Sequence, residues 1–146
     1  MTLAIFVEYQ DPQSKELKTK IWPAGFENYR SKLWGSPYLR RLNLRLLPQI
    51  ENDVVIRAGE FEELLTECDK LETYVKTAPR APPRKSGFGP GFFKWIMTLP
   101  FFVRFSDTSE PAWLRDHGGD ILGYVENFRN AVAFARSVGA KELDVG

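Results

Sequence analysis

"LAIFVEYQDPQSKELKTKIWPAG", residues 3–25, decides the fold class. Leu3, Ile5, Val7 and Tyr9 alternate with Ala4, Phe6 and Glu8. This is the two-residue period of a strand, and both of its faces start out apolar. Asp11 before Pro12, with polar residues after it, is turn chemistry. Leu17, Thr19 and Ile21 then alternate with Lys18, Lys20 and Trp22, a second strand that "WPAG" stops. Together they predict an antiparallel hairpin.

Outward from the hairpin the period becomes helical. Phe26, Tyr29, Arg30, Leu33 and Trp34 fit a short helix ended by Gly35. Ser36 and Pro37 restart one, as cap and first helical residue. Leu42 to Leu47 fits helix and strand equally, and Pro48 closes that segment. "GEFEELLTECDKLETYVKT", residues 59–77, is a clear helix with Phe61, Leu64, Leu65, Cys68, Leu71 and Val75 on one stripe. Glu60, Glu62 and Glu63 suit its positive end and Lys76 its negative end. A second long helix carries Ile121, Val125, Phe128, Val132 and Ala135 on one face, with Asp120 as cap and Gly139 just past its end. "KELDV" reads as a last short strand.

The order ββ, helices, helix, β makes the class α+β. The expected architecture is a small, mostly antiparallel sheet, the N-terminal hairpin plus the C-terminal strand, with amphipathic helices packed on one face. Residues 1–146 form a single domain. Residues 79–118 form a long Pro/Gly- and aromatic-rich insert within it, and "SDTSEPAWLRDHGGD", residues 106–120, reads as loop.

Composition narrows the function. The net charge of +1 supplies no global field for nucleic acid. The one cysteine, Cys68, allows no internal disulfide and fits a reducing compartment. "MTLAIFVEYQ" lacks the basic start of a signal peptide, and no apolar run has the length of a spanning helix. The expected location is therefore cytoplasmic.

Few residues carry chemistry. His117, with Asp116 and Asp120 nearby, lacks the second histidine that would make a convincing metal set. Cys68 sits on an apolar stripe, the position of a core residue and not of a nucleophile. In "GFGPG", residues 87–91, Pro90 removes an N–H that a phosphate cradle needs. Glu62, Glu63, Glu67 and Asp69 lie opposite the apolar stripe, as on a solvated helix face. No catalytic residue, metal or cofactor is expected.

Charge is distributed in blocks. Acids dominate from Glu51 to Thr73, and bases stand alone from Arg30 to Arg45 and from Pro79 to Arg104. Internal pairing explains this, and so does a bipolar binding surface. "PRKSGFGPGFFKWIMTLPFFVRF", residues 83–105, is compatible with core or lid packing, a protein-binding patch, a membrane contact or a stacking platform. It lacks the strand patterns of specific nucleic-acid readers. The candidate partner contacts are therefore Glu62, Glu63 and Glu67 on the acidic helix, and Phe92, Phe93 and Trp95 in the insert.

"NYRSKLWGSPYLRRLNLRLLPQIENDVVIRAGEFEELLTECDKL", residues 28–71, and "YVENFRNAVAFARSVGAKELDVG", residues 124–146, resemble small bacterial proteins associated with immunity to polymorphic toxins. The resemblance lies in a Trp-Gly-Ser step, a Leu-Leu-Pro step, an acidic helix, and a final helix ending in a short strand and glycine. It implies a non-catalytic inhibitor that binds a toxin protein, and it transfers no site residue. The competing readings are a small-ligand binder or enzyme using an aromatic pocket around Trp95 and Trp113, and a peripheral membrane adaptor.

Overall fold

The computed structural model describes residues 2–77 and 109–146, with the side chains at 109–112 and 115 excepted. The insert residues 79–108, Phe92, Phe93 and Trp95 among them, lie outside the described residues. The fold is α+β, as the hairpin and helix periods require. Strand β1 is Thr2–Gln10 and β2 is Leu17–Phe26. A π-helical turn, Arg30–Trp34, precedes the short helix α1, Pro37–Arg41. Strand β3, Val54–Arg57, leads through a 3-10 turn into helix α2, Phe61–Thr77. Helix α3, Ser109–Val138, is followed by strand β4, Glu142–Val145.

The sheet is antiparallel throughout, in the order β2-β1-β4-β3. The C-terminal strand lies beside the N-terminal hairpin, as expected. Strand β3 was hidden in the sequence after Pro48 and closes the other edge. The second strand also runs further than the "WPAG" stop suggests. It continues through Pro23 to Phe26, because β2 is an edge strand and the register shifts between Leu3 and Ala4. An edge strand tolerates a residue without an N–H.

Helix α3 packs across β1 and β2, and α2 packs along α3. The core is the meeting of three stripes: Leu3, Ile5 and Val7 from β1, Leu64, Cys68 and Leu71 from α2, and Ile121, Val125, Phe128, Val132 and Ala135 from α3. Trp34 fills the space beside Phe128, with ring centroids 5.8 Å apart and edge to face. Gly139 ends α3 at a φ of +68°, and the Ala140 N–H donates to the Ala135 carbonyl, closing the helix.

Residues 109–120 are the first three turns of α3 and not a loop, so Asp120 is mid-helix and not a cap. Gly118 and Gly119 cost helix stability, roughly 1 kcal/mol each. Leu114 and Ile121 offset that cost by burial, and a side chain at Gly118 would reach the Val75 methyl at 3.4 Å. The ambiguous Leu42–Leu47 segment is neither regular state until the 3-10 turn Leu47–Glu51.

Candidate functional site

The acidic helix is the first candidate, and its charges are already engaged. Glu60 and Glu63 grip the Arg45 guanidinium at 2.8 and 2.6 Å. Glu62 pairs with Arg136 of α3. Asp69 and Glu72 bracket Arg129 of α3, and Glu72 also meets Lys76. Five acids between Glu60 and Glu72 are thus paired within the domain. Among the described residues, Arg30, Arg40 and Arg45 of the first basic block pair with Glu27, Asp53, Glu51, Glu60 and Glu63, which favours internal pairing for that block; the second block, from Pro79 to Arg104, lies outside the described residues.

Glu67 corrects the expectation more sharply. It is not on the solvated face: the residue is 3% exposed. Its carboxylate accepts the backbone N–H groups of Arg45, Leu46 and Leu47, at 2.5 to 3.0 Å. These are the donors left unpaired where the chain enters the turn Leu47–Glu51. A buried charge is tolerated when several N–H donors converge on it. Glu67 therefore fastens α2 to the preceding loop. Of the predicted helix contacts, Glu62 and Glu63 reach solvent and Glu67 does not.

The second candidate is the aromatic corner around His117. Tyr29 places its hydroxyl 3.3 Å from His117 Nδ1 and 3.5 Å from Asp120. Trp113 lies 4.8 Å from the imidazole, and Tyr124 meets Tyr29 edge to face at 5.5 Å. Burial, then the neighbouring Tyr124 and Asp120, push the Tyr29 hydroxyl up to about 12. These rings fill one another's space. Among the described residues no group of three or more His, Cys, Asp or Glu side chains comes together to hold a metal ion. Cys68 is fully buried, and that burial pushes its thiol up to about 12, which suits core packing and disfavours a thiolate.

The third candidate was not anticipated. It is the sheet face turned away from the helices. Register places Ile21, Phe6, Asp144 and Val55 in one row across all four strands. Beside that row, Thr19 stands opposite Glu8, and Glu142 opposite Arg57. Phe6, Glu8, Thr19, Ile21, Val55, Glu142 and Asp144 line a concavity of about 550 Å³. Ile21 is 58% exposed and Val55 50%, while Leu17 continues the apolar row of β2 at 71%. The side-chain carboxylates of Glu8, Glu142 and Asp144 make no hydrogen bond or ion pair with any described residue.

The reason lies in β2. Its lysine row shares the helix side with Tyr9, and Lys20 Nζ sits 4.3 Å from the Phe134 ring centroid of α3. Lys20 thus lies along the flank of α3, its stem and charge against the ring, while Lys18 pairs with Asp11 in the turn. The apolar row, Leu17 and Ile21, is thereby turned outward. Because strand side chains alternate, one choice of register fixes both faces. The alternation in residues 17–22 and the acids at alternate positions of "KELDV" carried this signal, without saying which face is covered.

No helix among the described residues is long and apolar enough to cross a membrane. Comparison of the chain with protein-family models, with curated proteins and with solved structures finds no match.

Proposed function

We propose that this chain is a non-catalytic protein-binding domain that docks through the open face of its sheet. The toxin-inhibitor role implied by the resemblance to immunity proteins is the biological form of that reading. One observation carries it: β1, β2 and β3 present Phe6, Ile21 and Val55 on the open face beside carboxylates that have no partner among the described residues, while Glu60, Glu62 and Glu63 are paired within the domain. Full burial of one large aliphatic or aromatic side chain contributes roughly 1.5–3 kcal/mol, so this face holds a substantial unused driving force. Buried apolar anchors within a polar rim are how protein interfaces are built.

The test is co-expression with the tagged product of the adjacent reading frame. The wild-type chain should be recovered in a stoichiometric complex. Ile21→Lys with Val55→Lys should abolish recovery and leave the circular dichroism spectrum intact, since both side chains are half exposed or more. Glu62→Lys with Glu63→Lys should leave recovery nearly unchanged. A complex that survives the first pair and fails with the second would place docking on α2 instead.

A further inference from the structure

We propose that the occupant of the open sheet face is a cationic amphipathic segment of a protein partner. This rests on the docking reading above and adds the chemistry of what docks. Among the described residues, Glu8, Glu142 and Asp144 stand on this face against one cation, Arg57. On α2 and the turn before it, by contrast, Glu60, Glu62, Glu63, Asp69 and Glu72 all find arginines. The sheet carboxylates have no such partner among the described residues. They flank apolar ground, so an arriving cation would pair with them at a site that also excludes water. That is where a charge pair gives specificity and speeds association.

Geometry narrows the occupant further. Glu142 and Asp144 are two residues apart on β4, roughly 7 Å. Cations two apart on a strand, or four apart on a helix, match that spacing. The face is about 14 Å wide, enough for one such segment at strand spacings of roughly 4.8 Å. An apolar stripe would lie over Phe6, Ile21 and Val55, with lysines or arginines reaching the carboxylates. A second copy of this chain would bring acid against acid. Phosphate backbones and anionic lipid surfaces are repelled for the same reason.

The experiment titrates the isotope-labelled full chain with two designed peptides of equal length and pattern, one leucine/lysine and one leucine/glutamate, read by amide shifts. The leucine/lysine peptide should shift residues of β1, β3 and β4 around Phe6, Val55 and Asp144, and the leucine/glutamate peptide should not. Glu142→Lys with Asp144→Lys should weaken binding at least tenfold. So should raising sodium chloride from about 50 to about 500 mM, where exposed charge pairs are screened. Equal binding of both peptides at this face would overturn the cationic chemistry and leave the docking reading standing. Shifts confined to α2 and α3, or no binding by either peptide, would overturn the proposal. Concentration-dependent self-association that Val55→Lys abolishes would overturn it in favour of a second copy.

Discussion

Replacing Glu67 by alanine should cost more stability than replacing any other acid of α2. Its carboxylate serves three consecutive backbone donors, of which Leu46 and Leu47 are buried. An orphaned buried donor costs roughly 1–3 kcal/mol. Two such donors give about 2–6 kcal/mol. Removing the charge recovers part of its own desolvation cost, so about 3 kcal/mol is expected for Glu67→Ala. Glu67→Gln keeps one acceptor oxygen but turns an amide NH₂ toward the same donors, and should cost about 1–2 kcal/mol. Glu67→Leu separates packing from hydrogen bonding: it restores volume and leaves every donor orphaned, so it should not rescue the loss. Urea unfolding followed by circular dichroism gives each value from the midpoint at constant slope. A Glu67→Ala midpoint within error of wild type would refute the reasoning, as would full rescue by leucine.

Cys68 should react with a thiol reagent in the native state only as fast as the domain opens, because burial holds its thiol up to about 12; labelling at the rate of a free thiol would reopen a nucleophilic role. Gly139→Ala should destabilise by about 1 kcal/mol, since a side chain is strained at the φ of +68° although nothing crowds the position. Acid should destabilise the domain. Arg45 holds the Glu60 and Glu63 carboxyls below their ordinary 4.5, Lys76 and Arg129 do so for Glu72, and Lys18 brings Asp11 down from 3.8 to about 2. Carboxyls depressed by folding stabilise above their unfolded values and lose that contribution as pH falls through the folded ones. Stability should therefore fall from about pH 4.5 downward, and Arg45→Gln should make that fall shallower in urea titrations at successive pH values.

What could be read in advance, and what could not, follows from the range of each physical signal. Alternation and helical stripes are local, so the hairpin, the stripe of α2, the Ile121–Ala135 stripe of α3 and the glycine after it were all legible. Val54–Arg57 was not, because four residues after a proline give too short a period, and its strand state depends on β4 arriving from the other end of the chain. The start of α3 was misread because Pro111, Gly118 and Gly119 are local breakers, while what holds the helix is packing of Leu114 and Ile121 in the core. Glu67 was misread because a helical wheel assigns polar residues to water. It cannot see three backbone donors brought by a loop some twenty residues earlier.

The open sheet face shows the same limit in its functional form. Alternation divides β2 into a lysine row and an apolar row, and a lone strand would be expected to bury the apolar one. The domain does the opposite, because Lys20 can lay its stem and charge over Phe134 at the edge of α3, whereas Ile21 can be covered only by something lying on the other side. Burying that row inside would need a shift of one residue. The shift would also turn Trp22 away from the Phe134 ring, whose centroid lies 5.4 Å from its own. A register that keeps Trp22 inside and leaves Leu17 and Ile21 outside sacrifices stability in the isolated chain, and a partner's apolar surface on that face would restore it. On the docking reading proposed above, the carboxylates of Glu8, Glu142 and Asp144, without a partner among the described residues, would select which partner can do so.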